Sequence, residues 1–189
     1  MEVSDIIKYA NRGWPVLPLH NITEDNVCSC TRGKDCSSPA KHPRIDRWTE
    51  EASTDPETIE GWWKTEGWEN SNVGILTGSV SGLVVVDVDT KHNGKENWEE
   101  LCDLHGAVET LVAMTGSGGS HYVFQVNGEK MQTTAGKIAP GIDTRGEGGM
   151  IVVSPSIHAS GNQYEWDNSV RDLAPMPKWL KDLWGPDNN

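Results

Sequence analysis

The stretch Leu83-Val-Val-Val-Asp87-Val-Asp89 decides how this chain is read. A short apolar run bounded by Ser81-Gly82 on one side and the Asn93-Gly94 turn on the other reads as a buried strand. Alternate residues of a strand share a face at a spacing of about 6.5–7 Å. Asp87 and Asp89 therefore turn to one side, and Val84, Val86 and Val88 to the other. Two like charges at the end of a buried strand are costly unless a cation compensates them. A divalent metal does so, and carboxylates placed in this way suit ions about 3.5–4 Å apart, the arrangement used for in-line phosphoryl and nucleotidyl transfer. The plainer alternative is an acidic strand end that runs into a turn.

Working outward, Asn72 to Thr77 is a second apolar run, read as a buried strand paired with the first. A helix over Lys95 to His105 follows, with Cys102 at helical spacing to Trp98, Leu101 and His105 and so expected as a core thiol. Strands are expected at Thr110–Met114, Ser120–Val126, Met150–Val153 and Gln163–Trp166. Upstream, Ser4 caps a helix to about Asn11 that Gly13 ends, and Trp14-Pro-Val-Leu-Pro reads as an extended edge segment. Thr54 and Glu57 form a capping box for a helix carrying Ile59, Trp62 and Trp63. A last helix, Lys178 to Trp184, presents Trp179, Leu180 and Leu183. Mixed helix and strand early, with antiparallel strands later, argues for an α+β architecture, and the 189 residues suit one compact unit.

The net charge of -12 argues against a general affinity for phosphate backbones, but the charge is unevenly spread. Arg32 to Arg47 holds five cations (Arg32, Lys34, Lys41, Arg44, Arg47) against two acids, whereas residues 48–110 hold fourteen acids against three cations. The basic segment can touch phosphate locally. The acidic part can still meet a polyanion through divalent metals. With no apolar run of membrane-spanning length and no secretion signal at the amino terminus, the expected setting is cytoplasmic, with no membrane partner.

Three of the four cysteines crowd into a Gly/Pro/Ser-rich stretch without periodicity of its own. Cys28, Cys30, Cys36 and His42 give C-x-C-x5-C-x5-H, a set of soft ligands for a structural Zn2+ stapling a loop of approximately residues 20–47. Ordinary reduced cysteines are the alternative. Further on, Thr115-Gly-Ser-Gly-Gly-Ser120-His121 is a turn whose glycines leave backbone amides free to approach an anion, with His121 opening the next strand. It is neither a Walker loop nor a dinucleotide fingerprint. In Gly141-Ile-Asp143-Thr-Arg145-Gly-Glu147, Asp143 and Arg145 can face the same way, one toward a metal and the other toward a triphosphate, or can form a salt-bridged turn. Glu147 is expected to face solvent. The polar loop from Ser154 to Gly161, with His158, is a reasonable pocket wall.

Taken in order, these segments resemble the prim-pol catalytic domain (bifunctional DNA primase/polymerase, N-terminal) of the archaeo-eukaryotic primase superfamily, found in phage, plasmid and prophage replication proteins. The resemblance runs from Tyr9-Ala-x-x-Gly-Trp-Pro-Val-Leu-Pro through Lys41-His-Pro-Arg, Ala52-Ser-Thr-Asp-Pro, Trp62-Trp63 and Asn72-Val-Gly-Ile-x-Thr-Gly. It continues through the Asp87/Asp89 strand, the His121 turn and the Asp143 segment to Ser154-Pro-Ser-x-His-x-Ser-Gly-x-x-Tyr-x-Trp. Gly119, where many relatives carry another small residue, departs mildly from the pattern.

The resemblance implies an α/β amino-terminal unit packed against an RRM-like antiparallel sheet, with the active site in the cleft. It implies Asp87, Asp89 and Asp143 as ligands of Mg2+ or Mn2+, and His121 against the incoming nucleotide's phosphates. Ser120, Arg145 and His158 are implied as further nucleotide contacts. The expected activity is template-directed nucleotidyl transfer by a DNA primase/polymerase acting in replication of a mobile element or phage, in a bacterial or phage-infected cell. Its partners would be single-stranded or primed DNA, NTP or dNTP, and a downstream or separate helicase. The chain, read as a single catalytic domain over 1–189, would then be the amino-terminal piece of a longer protein. A non-catalytic zinc-containing nucleic-acid-binding replication module and a metal-dependent nuclease are the competing readings.

Overall fold

The structure is a computed structural model that describes residues 2–170 and 172–185. Pro186 to Asn189 lie outside the described residues. The backbone divides into two compact units, one of residues 1–76 and 151–165 and one of residues 77–150 and 166–189.

In the first unit, helix α1 (Val3–Ala10) buries Ile6, Tyr9 and Ala10 and ends as Gly13 takes a positive φ of 78°. Its N-cap is Glu2, with no side-chain hydrogen bond, so Ser4 lies inside the first turn rather than capping it. Strand β1 (Val16–Leu19) is fully buried and sits at the edge of a three-stranded sheet with β2 (Asn72–Leu76) and β8 (Met150–Val153), in the order β1-β2-β8. The short helix α2 (Trp48–Glu51) went unforeseen; four residues are too few for a periodicity to show. Helix α3 (Pro56–Trp63) starts one residue later than a Thr54 cap requires. Asp55 is its N-cap, its carboxylate accepting from the Thr58 backbone N–H at 2.9 Å and Thr58 Oγ1 at 2.6 Å. Pro56, rigid in φ and without an N–H, fits the first helical position and fixes that register. Ile59 and Trp63 are its buried face.

The second unit is a seven-stranded, mainly antiparallel sheet whose main path runs β6-β7-β3-β5-β4-β9. Its strands are β3 (Leu83–Val88), β4 (Leu111–Met114), β5 (Ser120–Gln125), β6 (Thr134–Ala139), β7 (Ile142–Arg145) and β9 (Glu165–Trp166), with β10 (Ala174–Pro175) beside β5. The valine run is the centre of the sheet, flanked by β5 and β7. It does not pair with β2, which belongs to the other sheet: both runs are equally apolar, and sequence alone cannot say which neighbours satisfy their backbone groups. Strands β6 and β7 were not foreseen, because β6 is half exposed and interrupted by Gly136, and the four residues of β7 are too few for an alternation to stand out.

The valine face makes the core expected of it. Val84, Val86, Val88, Phe124 and Ile142 pack with Trp98 of helix α4 (Gly94–His105) and with Leu180 and Trp184 of helix α5 (Lys178–Trp184). Trp179 and Cys102 pack at the margin of this core, and the His105 ring stacks on Trp179 with centroids 5.1 Å apart. Leu183, expected in the packing stripe, is 38% exposed; Trp184 takes the buried position instead. Each fully buried side chain of this kind contributes about 1.5–3 kcal/mol, so the sheet's stability lies on the face opposite the aspartates.

Candidate functional site

The central strand gives the site its geometry. Asp87 lies opposite His121 on β5 and opposite Asp143 on β7. Directly opposed residues share a face, so three polar side chains far apart in sequence form a row across the sheet. Val85 lies opposite Arg145 in the same way, which sets the guanidinium one step back along that face.

The contacts follow from this register. Arg145 Nη2 donates to Asp87 Oδ2 at 3.0 Å and to Asp143 Oδ2 at 3.4 Å, and His121 Nε2 lies 3.4 Å from Asp87 Oδ1. His121 is buried, and the Asp87 side chain is 22% exposed. Burial works against the Asp87 charge, but the adjacent His121 and the Arg145 guanidinium outweigh it and hold the carboxyl well below the usual carboxylate range. The compensating cation at the end of the buried strand is thus supplied by the chain itself, through Arg145.

Asp89 lies just past β3, exposed; its Oδ1 accepts from the Lys91 backbone N–H at 3.1 Å, and its own N–H donates to Gly141 O at 2.9 Å. Asp143 Oδ1 accepts from the Gly136 N–H at 3.0 Å. Close backbone approach supports this end of the sheet. A Cβ on Gly94 would lie 2.3 Å from both Asp89 O and Gly141 O, so only glycine lets helix α4 start against the Asp89 segment.

Several expectations change. Ser120 lies opposite Val88, on the face away from His121, and its Oγ points to Met114 Sδ at 3.6 Å, so the structure does not bring it to the row. The glycine turn does not hold all its amides free: the Gly118 N–H donates to Thr115 O and the Gly119 N–H to Thr115 Oγ1, because a threonine at the turn's start closes it locally. Gly119 is required sterically, since a Cβ there would lie 2.5 Å from Val88 O. Glu147 does not simply face solvent; its carboxylate accepts from Ser79 N and Oγ at 2.7 and 3.0 Å. His158 belongs to the first unit.

The second cluster is the cysteine loop. The ligand atoms of Cys28, Cys30, Cys36 and His42 all lie within 4.8 Å of one another, with His42 Nε2 at 3.6 Å from Cys28 Sγ and 3.5 Å from Cys36 Sγ. This is the one group of its kind among the described residues, and the three aspartates are not drawn together to that degree. Burial pushes the Cys30 thiol up, but the Arg32 backbone N–H and then Cys28, His42 and Cys36 pull it down to about 6, while burial pushes Cys36 up. Three thiols and an imidazole at this separation fit a tetrahedral soft-ligand ion.

Around this cluster the loop is tied by polar contacts. The His20 and His42 rings lie 4.4 Å apart, and burial, then the charges of Arg44 and His42, holds His20 down at about 4, so it stays neutral. Arg44 donates to Leu19 O, Asn21 Oδ1 and Ser29 Oγ and lies over the Trp68 ring. Arg47 pairs with Glu50 and Glu51. Of the five cations of the basic segment, Arg44 is engaged within the fold and Arg47 in surface ion pairs, whereas Arg32, Lys34 and Lys41 are exposed and make no ion pair among the described residues. The sequence reading missed Asn72, whose side chain clamps this loop; a lone polar residue opening a fully buried apolar run was the available signal.

No helix among the described residues is long and apolar enough to cross a membrane. A search of the curated proteins found no match to this chain. The family model described as Prim-Pol, "Bifunctional DNA primase/polymerase, N-terminal", matches residues 6–179, covering the Asp87 row and the cysteine cluster alike, and the chain therefore belongs to this family of DNA primase/polymerases, which are nucleotidyltransferases acting on a DNA template with nucleotide substrates.

Proposed function

We propose that the row of Asp87, His121 and Asp143, extended by Asp89, is the catalytic centre of template-directed nucleotide addition. The observation that carries the reading is the register: the central strand places Asp87 directly opposite both His121 and Asp143. Hard carboxylate oxygens of Asp87, Asp89 and Asp143 suit Mg2+ or Mn2+, as the thiol and imidazole donors of Cys28, Cys30, Cys36 and His42 suit Zn2+. Bound to the carboxylates, the divalent ions would favour the deprotonated 3′-hydroxyl and offset the charge leaving with pyrophosphate.

The chain's own residues supply the rest. His121, fixed by burial and by Asp87, donates to a phosphate oxygen of the incoming nucleotide. Arg145 helps hold Asp87 ionised in the free protein and bridges it to Asp143, and can swing one guanidinium edge to the triphosphate once the carboxylates have another cation. No covalent intermediate is required, because the pre-aligned row does its work by positioning and charge.

The strand order β7-β3-β5-β4 at the centre of the sheet supports an RRM-like reading of the second unit. The family match spans both compact units, which supports one catalytic domain over 1–189. Replication of a phage or other mobile element, beside a helicase, is the biological setting we propose. Incubating the protein with a primed template, dNTPs and Mg2+ or Mn2+ tests the reading. Primer extension is the expected outcome; template binding without extension, or shortening of the labelled strand, would replace it with a binding module or a nuclease.

A further inference from the structure

The first unit holds a polar arrangement that the catalytic row does not use. Asn72, buried at the start of β2, donates through one Nδ2 to Ala40 O at 3.0 Å and to Ile157 O at 2.8 Å, while its Oδ1 accepts from the Ile157 N–H at 2.9 Å. A single amide thus ties the end of the cysteine loop to the turn that follows β8. The residues leaving this clamp are Lys41, which is exposed and precedes the ligand His42, and His158.

The His158 ring is held in one state. Its Nδ1 accepts from the Ser160 backbone N–H at 3.1 Å and contacts Ser160 Oγ at 2.9 Å, and the Tyr164 ring meets it edge-on with centroids 6.1 Å apart. A backbone N–H can only donate, so in the neutral imidazole Nδ1 is the acceptor and the proton sits on Nε2. Burial, then the charge of Lys41, lowers the His158 pKa, which keeps the ring neutral at neutral pH. The clamp brings the 40–41 and 157–158 peptide units to one buried amide, and the residues that follow carry an exposed ammonium and a fixed N–H donor; no carboxylate among the described residues pairs with that lysine, and this is the chemistry that recognises a phosphate group.

We propose that Lys41 and His158 form one phosphate-binding site in the first unit, and that Asn72 locks it to the cysteine loop so that the site is assembled only while Cys28, Cys30, Cys36 and His42 hold their metal. The phosphate belongs either to a nucleic-acid backbone or to a nucleotide's phosphate chain. The proposal rests on the nucleotide-addition reading only for which of these is presented, and the binding itself can be measured without catalysis.

The test uses the full zinc-loaded chain and two separate probes: a fluorescein-labelled single-stranded DNA without nucleotide, and a non-hydrolysable dATP analogue without DNA. Lys41→Ala and His158→Ala should each weaken one probe on the order of tenfold, the scale of a lost charge-assisted hydrogen bond, with zinc content unchanged. His158→Gln, whose amide nitrogen can stand where Nε2–H stood, should recover most of the loss. Asn72→Ala should keep its zinc yet bind as weakly as His158→Ala. Stripping zinc should weaken the wild type by the same factor and add little in Asn72→Ala, as coupled sites require.

Loss confined to DNA assigns the site to a backbone phosphate; loss confined to the analogue assigns it to the nucleotide. Unchanged binding of both probes in Lys41→Ala and His158→Ala overturns the site. Full affinity after zinc removal, with His158→Ala still defective, overturns the coupling. Asp87→Asn should bind the DNA probe as the wild type does while failing to extend a primer, so failure of the catalytic reading and failure of this site give different patterns.

Discussion

Replacing Asp87 by asparagine keeps the shape of the side chain and removes its charge, and the two consequences differ in size. In the free protein the carboxylate receives Arg145 at 3.0 Å and faces His121 at 3.4 Å. A hydrogen bond to a charged group contributes about 1.5–3 kcal/mol. Asparagine retains an acceptor oxygen, and Arg145 keeps Asp143. The expected loss of stability at neutral pH is therefore about 1–2 kcal/mol, or roughly 2–8 °C in melting temperature for a chain of this length. Because the folded-state pKa of Asp87 is depressed, its contribution is fully present above the unfolded carboxyl value of about 3.9 and is lost as pH falls through the lower folded value. The gap between variant and wild type should then be flat through neutral pH and close only in strong acid.

Catalysis should respond far more strongly. Removing a carboxylate that holds a divalent ion forfeits several kcal/mol of charge stabilisation, and each 1.36 kcal/mol is tenfold, so primer extension should fall by about 10³-fold or more. A thermal melt with and without Mn2+, run beside a gel extension assay, reads both effects. Mn2+ at about ten times its dissociation constant should stabilise the wild type by about 1.4 kcal/mol and the variant by much less. Extension within about tenfold of wild type, or an equal Mn2+ shift in both proteins, would refute the assignment of Asp87 as a metal ligand.

Arg145→Ala leaves Asp87 facing Asp143 without the guanidinium, so the metal-free protein should lose about 1–3 kcal/mol, and Mn2+ should restore more of its melting temperature than of the wild type's. His121→Ala should lower extension about a hundredfold, with the KM for nucleotide raised and Mn2+ stabilisation retained. Gly94→Ala improves helix propensity yet places a Cβ 2.3 Å from Asp89 O and Gly141 O; a melt should show a loss of about 1–3 kcal/mol, and a gain would disprove the close approach. Metal analysis should find one Zn2+ per chain, lost on Cys36→Ser and released as pH falls, since thiols and imidazole bind metal only after losing their protons; a cysteine loop that keeps its melting temperature on chelation would contradict a structural role.

Much of the site was legible in the chain. The Asp87/Asp89 spacing, the cysteine and histidine ligands, and the candidacy of His121, Asp143 and Arg145 all follow from residue type and interval, because strand periodicity and ligand chemistry are local properties. The second face of the valine run was equally local: Val84, Val86 and Val88 became core as alternation required. Short elements with weak patterning, such as α2, β6 and β7, were not legible, and the helix cap moved to Asp55 because Pro56 pins the first helical position.

What tertiary structure alone decided is pairing and register. Nothing local tells β2 from β3 as a partner for β5 and β7, yet that choice puts Asp87 opposite His121 and Asp143 and sends Ser120 to the other face. It also decided which cations remain outward, engaging Arg44 in hydrogen bonds while leaving Lys41 exposed, and it made Asn72 a clamp that holds Ala40 on one side and Ile157, 85 residues further along the chain than Asn72, on the other. The physical reason is the same in each case: residue types fix what a side chain can bind, whereas satisfying every buried backbone and amide group over the whole chain fixes which partner it meets.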